Sequence, residues 1–183
     1  ERCHTKNIYR GYMIQIKKNF LSSKEHKELL KIISGNMFPY YAMPYQTKYV
    51  KTKNKQEHLL QHILMTGERI NSDWFRKIVI PFALKLPIEK MIYARLNLTV
   101  NQNKPYACAW HTDFKMTPEE KEKATTAVYY FNTCNGATEI KGHKKIKSLK
   151  NQMIIFPSRL SHRAIQQTDT VFRWVLNFGY IAK

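Results

Sequence analysis

His111 and Asp113 stand two residues apart, an imidazole and a carboxylate that project to the same side of an extended segment because side chains alternate along a strand. A second imidazole, delivered from a later strand by His162, would complete two nitrogens and one carboxylate oxygen on one face of a metal ion. Such a face leaves coordination positions open and suits non-heme Fe(II). Arg173 opens the apolar run Trp174-Val175-Leu176-Asn177-Phe178. A guanidinium at the base of a pocket is the natural bidentate partner of a carboxylate.

These groups need strands to hold them, and from Met91 the chain alternates with period two. Ile92, Ala94, Leu96 and Leu98 fall on one face; Tyr93, Arg95, Asn97 and Thr99 fall on the other. The first face would pack beneath helices and the second would line a cavity. Thr125 to Asn132 reads as a further strand with Thr126, Val128 and Tyr130 on one face. Met153 to Pro157 and Phe172 to Tyr180 complete the set. In the last of these Arg173, Val175 and Asn177 share a face. The large apolar Phe172, Trp174, Leu176 and Phe178 occupy the other, which turns Arg173 toward the interior. An unpaired guanidinium there would be costly, and a dicarboxylate removes the cost. Asn135-Gly136 and Lys141-Gly142-His143 are turn signals.

The first half looks largely helical. Ser22-Ser23-Lys24-Glu25 is a capping box that opens a helix, and Gly35-Asn36 tolerates the left-handed conformation that would close it. Gln56 to Thr66 has Leu59, Leu60, Ile63 and Leu64 at helical spacing, and Trp74 to Leu86 forms another helix interrupted by Pro81. Tyr12 to Ile16 reads as a strand and Met37 to Thr52 as loop. His58 and His62 have the four-residue spacing of a zinc pair. They lack the glutamate and third ligand that such a site needs, so they read as packing or surface histidines. Thr117 caps a short helix with Pro118 at its first position. The expectation is a single domain over 1–183, mainly β with an α cover. Residues 1–90 would supply N-terminal helices packed on the outer sheet, and residues 91–183 a jelly-roll barrel, the double-stranded β-helix.

The order of His111-Thr112-Asp113, Tyr129-Tyr130-Phe131-Asn132, Asn135-Gly136-Ala137-Thr138, Ile154-Ile155-Phe156-Pro157, His162 and Arg173 resembles the Fe(II)/2-oxoglutarate-dependent dioxygenases. It is nearest to their prolyl-4-hydroxylase-like branch, which includes small versions found in phages and other viruses. The resemblance covers roughly Met91 to Tyr180. It implies that His111, Asp113 and His162 ligate Fe(II) and that Arg173 binds the distal carboxylate of 2-oxoglutarate. Tyr130 would assist Arg173, with Thr126, Asn97 and Arg95 as further contacts to cosubstrate or substrate. His143, beside a glycine turn in a lysine run, rivals His162 as the distal ligand; His162 follows its apolar strand by a short loop, as in the family, and is preferred. The implied reaction uses O2, converts 2-oxoglutarate to succinate and CO2, and hydroxylates a C–H bond. Two departures weaken a prolyl substrate: Cys108-Ala109-Trp110 replaces a run where prolyl hydroxylases often carry a tyrosine, and the interval from His162 to Arg173 is slightly long.

Composition limits the alternatives. Hydrophobic residues make up 43% and aromatic residues 13% of the 183, which suits a folded chain with a real core. Neither a membrane-length apolar run nor a secretion signal is present, and Cys3, Cys108 and Cys134 form no disulfide framework. An intracellular, cytoplasmic setting is therefore expected, the host cytoplasm for a viral product. Lys and Arg number 31 against 13 Asp and Glu, a formal net charge of +18. That charge fits attraction to nucleic acid or another anionic surface, but without a recognition motif a lysine-rich proteome accounts for it more readily. Tyr45 and Tyr49 among Lys48, Lys51, Lys53 and Lys55, and the lysines of 141–150, would be its grips. The expected substrate is a protein or peptide side chain, proline among them, with a nucleic-acid base or a free amino acid as the alternatives. The reading from another class is a basic binding module, such as a virion component, that keeps the barrel without turnover.

Overall fold

The computed structural model describes residues 6–9, 12–43, 59–143 and 145–183. The first strands are β1 (Lys6–Tyr9) and β2 (Tyr12–Lys18), followed by helix α1 (Ser23–Ile33) and strands β3 (Tyr41–Met43), β4 (Leu59–Thr66) and β5 (Arg69–Ile70). Helix α2 (Trp74–Ala83), strand β6 (Ile88–Val100) and helix α3 (Pro118–Lys123) come next. The remainder is β7 (Ala124–Tyr130), β8 (Ala137–Ile140), β9 (Lys145–Lys147), β10 (Gln152–Pro157), β11 (His162–Ile165) and β12 (Phe172–Ala182).

One antiparallel sheet runs β1-β2-β10-β7-β12-β6-β4-β3, with β5 paired to β4. A smaller sheet, β11-β8-β9, lies opposite. Single bridges from Ala107 to Ile165 and from His111 to His162 attach the segment carrying the His-x-Asp pair to β11. Two facing antiparallel sheets closed in this way make the jelly roll expected from the alternating strands. The main core lies on the convex side of the large sheet, where α1 and α2 cover Leu96, Tyr129, Met153, Leu176 and Phe178. Val128, Tyr130, Ile154 and Val175 pack on the concave side, against the small sheet.

Helix α1 begins as its capping box requires: Ser22 Oγ accepts from the Glu25 amide, and the Glu25 carboxylate accepts from the Ser22 amide. Its end differs from the expected left-handed cap. Ser34 is the cap residue, and its hydroxyl donates to the Leu30 carbonyl. Helix α2 carries Pro81 in its last turn, so the proline lies inside it rather than interrupting it. The Trp74 amide donates to Ser72 Oγ.

The largely helical first half is corrected. Residues 6–90 contribute α1, α2 and five strands that extend the large sheet. The described part of the Gln56–Thr66 stretch is β4, not helix. Leu60 and Leu64 turn to one side of the sheet while Leu59 and Gln61 turn to the other, so a strand buried on both faces imitates helical spacing. Asn135-Gly136 is not a tight hairpin either: β7 belongs to the large sheet and β8 to the small one, so the chain changes sheets there. Gly142, with φ +79°, does close the β8–β9 hairpin.

Candidate metal and cosubstrate site

The two histidines are brought together by main chain. His111 and His162 exchange amide–carbonyl hydrogen bonds of 3.0 and 2.9 Å, the pattern of a closely paired antiparallel bridge, so both rings rise on one side with centroids 4.7 Å apart. Each Nδ1 faces a carbonyl, Ala109 at 3.0 Å for His111 and Leu160 at 3.3 Å for His162. A carbonyl only accepts, so each Nδ1 carries a proton, and Nε2 is the atom left to ligate a metal once it gives up its own. The ligand atoms of His111, Asp113 and His162 all lie within 4.8 Å of one another, and Asp113 and His162 are buried. His143 stands outside this group, at the hairpin before β9.

Asp113 has one engaged and one open oxygen. Oδ1 accepts from Asn177 Nδ2 at 2.8 Å, whereas Oδ2 is buried without a hydrogen bond. Its neighbour is His162 Nε2 at 3.2 Å, in poor hydrogen-bond alignment. Burial opposes ionisation of this carboxyl, but the charges of His162, Arg95 and His111 outweigh it and hold the group well below the usual carboxylate range. Burial and the neighbouring His162 lower the His111 pKa; for His162, Asp113 outweighs burial and raises it. Two imidazole nitrogens and an orphaned carboxylate oxygen converging in a protected corner fit a divalent cation, which would take all three lone pairs at once.

A cavity of about 70 Å³ runs from this corner along β6 and β12. The register forms its floor in three rungs: Asn177 opposite Arg95, Val175 opposite Asn97, and Arg173 opposite Thr99. Arg173 is 3% exposed and its Nε has no hydrogen bond. Its guanidinium carbon lies 5.4 Å from the centre of the Tyr130 ring, and the Tyr130 hydroxyl donates to Thr138 Oγ1 at 2.8 Å. A buried cation with an unused donor at the far end of the metal cavity fits a carboxylate. Gly136 makes this geometry possible: a Cβ there would lie 3.0 Å from Arg173 Cδ and 3.2 Å from Gln167 Cβ. Gln167 closes the end by pairing with Thr99 through side chain and carbonyl.

Of the residues expected at the site, His111, Asp113, His162, Arg173, Arg95 and Asn97 line this cavity. Tyr130 sits behind Thr138 and against Arg173. Thr126 has another partner: its hydroxyl lies 2.8 Å from Ser158 Oγ, it is fully buried, and it is absent from the cavity wall. His62 pairs with the Pro39 carbonyl and Ser72, as a packing histidine would, and His58 lies outside the described residues. Asn177, Thr99, Thr138 and Gln61 also line the cavity and had no assigned role. For Asn177 the signal was its phase with Arg173 along β12. Cys108 and Cys134 are buried and form no disulfide among the described residues.

Residues 98–180 match the family model described as the 2OG-Fe(II) oxygenase superfamily. No curated protein matches the chain in sequence. Among solved structures, a prolyl hydroxylase from Trichoplax adhaerens, in complex with a peptide fragment of a hypoxia inducible factor, superposes with a TM-score of 0.64 at 16% identity, over 92% of this chain and 83% of that one. A viral collagen prolyl hydroxylase from Paramecium Bursaria Chlorella virus-1 gives 0.57 at 16% identity, over 93% and 96%. The epimerase SnoN of nogalamycin biosynthesis gives 0.63 at 12%, over 92% and 77%. At these identities the structures establish the shared fold. No described helix is long and apolar enough to cross a membrane. Residues 98–180 therefore match a 2OG-Fe(II) oxygenase domain, and the chain around them has the fold seen in the prolyl hydroxylases.

Proposed function

We propose that His111, Asp113 and His162 hold the Fe(II), that Arg173 receives the distal carboxylate of 2-oxoglutarate, and that the enzyme hydroxylates a side chain of a protein or peptide, proline among the candidates. The observation that carries this reading is the pairing of two orphaned buried atoms in one cavity, Asp113 Oδ2 at one end and Arg173 Nε at the other. Bound there, iron and cosubstrate would supply the oxidising chemistry by which O2 is split between succinate and product. The chain's own part is geometric. The His111–His162 bridge fixes both imidazoles, Asn177 turns Asp113, and Arg173 with Thr138 and Tyr130 aligns the cosubstrate. Val128 and Val175 would give the space between an apolar wall. One domain over 1–183 is part of the same reading.

The burial of Asp113, His162 and Arg173 supports a substrate that offers one protruding group to the site, and the likeness to prolyl hydroxylases points the same way. The test is succinate release by the iron-loaded protein over proline-containing peptides, single-stranded oligonucleotides and free amino acids. Release with peptides alone is expected; release with oligonucleotides alone would transfer the activity to nucleic acid. That second reading rests on the +18 charge.

A further inference from the structure

Arg95 is not used by the reading above, and the charges around it say what it is for. It comes from β6 on the rung of Asn177, beside Asp113, and lines the cavity at its metal end. Nη2 donates to the Asp113 carbonyl at 2.6 Å, and the guanidinium carbon lies 4.6 Å from the centre of the Tyr93 ring. Both of these contacts are with neutral groups, so they fix the guanidinium without pairing its charge, which also acts on the nearby Asp113 carboxylate. Asp113 is the only acid among the described residues lining the cavity. Glu139 is on the small sheet nearby, but its carboxylate is engaged by Arg163 at 2.7 Å. In the loaded site, a divalent metal and Arg173 balance Asp113 and a dicarboxylate cosubstrate, which leaves the positive charge of Arg95 over.

A half-buried cation held rigid on an aromatic face and left in excess is a preorganised anion receptor. Its neighbours suit that use. On the next rung Gln61 Nε2 donates to Asn97 Oδ1 at 2.9 Å, which leaves amide hydrogens of both residues for a polar ligand. We propose that Arg95 determines specificity: the substrate is an acidic peptide, and a carboxylate in or beside the hydroxylated residue pairs with Arg95 at the mouth of the site. The inference rests on the iron and cosubstrate reading and on a peptide substrate.

Two pools of random hexapeptides test it, one containing Asp and Glu and the other Asn and Gln in their place, both with proline. Each is offered to protein loaded with Mn(II) and 2-oxoglutarate, and retained peptide is measured; a parallel series with Fe(II) follows succinate. Wild type should retain the acidic pool roughly tenfold better, about the worth of one charge-assisted hydrogen bond. The whole chain is basic, so bulk attraction must be separated from Arg95. Arg95→Gln should equalise the pools, although it changes only one of 31 cationic residues. Asn97→Asp should equalise them too, because it supplies the missing negative charge without loosening the grip of Arg95 on Asp113. If Arg95→Gln fails to hold Mn(II), the Asn97→Asp variant alone decides. A preference that persists in Asn97→Asp belongs to the general charge and overturns the proposal. So does equal retention by wild type, or an Arg95→Gln variant whose only defect is weaker 2-oxoglutarate binding. If neither pool is retained and neither yields succinate, the peptide reading itself falls, and this inference with it.

Discussion

At the scale of single residues the site depends on how Asp113 is held. The Tyr93 hydroxyl donates to Asn177 Oδ1 at 3.0 Å, which forces the Asn177 amide nitrogen toward Asp113 Oδ1. The carboxylate is thereby turned so that Oδ2 faces the two imidazoles. Replacing Asn177 by Leu should lower Mn(II) affinity roughly 10–100-fold, as loss of an outer partner of a ligand typically does. Unchanged affinity by isothermal titration would show that Asp113 needs no such support. Asp113→Ala, which removes the only anion of the proposed ligand set, and His162→Ala should abolish binding while His143→Ala leaves it intact; loss in His143→Ala but not in His162→Ala would make His143 the distal ligand. Arg173→Lys keeps the charge but loses the planar fork, so the KM for 2-oxoglutarate should rise about tenfold with metal binding preserved. The residues proposed to do the chemistry were legible because few other side chains serve those ends: His111, Asp113, His162 and Arg173 stand out by type, order and phase. Asn177 was visible only as a member of the inward face. Alternation tells which side a residue takes, but its partner here comes from a loop more than sixty positions away. Thr126 shows the same limit from the other direction, since its face was right and its partner is Ser158.

At the scale of elements, the strands from β6 onward were readable because each has one polar and one apolar face. The strand β4 was not, because it is buried on both and its leucines fall at helical intervals. The link between α1 and the large sheet was invisible for a different reason: it is a polar contact across the core. His26 Nδ1 lies 2.7 Å from the Tyr129 hydroxyl, which donates to Asn151 Oδ1, while the Asn151 side chain clamps the main chain of Leu21. Burial, and secondarily Lys150, lowers the His26 pKa below its ordinary value. The unfolded chain then binds the proton more readily than the folded one. This stabilising contribution is complete above the ordinary histidine pKa and declines as pH falls through it toward the lower folded value. Thermal midpoints measured from pH 7 to pH 5 should therefore fall less steeply in His26→Gln than in wild type, though from a lower start. Parallel curves would remove His26 from the account. Connections between elements carry their own constraint at Gly136, where the chain changes sheets. Gly136→Ala would press on Arg173 and Gln167, so it should raise the KM for 2-oxoglutarate several-fold while the Mn(II) affinity stays near wild type.

For the whole molecule, the barrel explains why the site is protected and leaves the +18 charge to be explained separately. Several lysines sit where a sheet edge needs them. Lys145 and Lys147 are exposed on β9, the outer strand of the small sheet, where cations discourage pairing with another chain. Others, in the Tyr/Lys stretch of 45–55, lie outside the described residues. Such a charge must attract polyanions to some degree, so association with nucleic acid is no proof of a nucleic-acid substrate. The two differ in what they do to turnover. If the lysines act only as a diffuse field, a single-stranded oligonucleotide should bind at low salt and lose affinity steeply as salt rises, through counterion release. Arg95→Gln should leave that binding nearly unchanged, and the oligonucleotide should release no succinate from the iron-loaded enzyme. A base offered to the metal would behave otherwise. Its contribution would persist at high salt, depend on the cavity residues Arg95, Asn97 and Gln61, and drive succinate release. Fluorescence anisotropy over a salt series, run beside the succinate assay on wild type and Arg95→Gln, separates these cases. The expected pairing is steep salt dependence with no turnover; salt-resistant binding with oligonucleotide-dependent succinate would make nucleic acid the substrate.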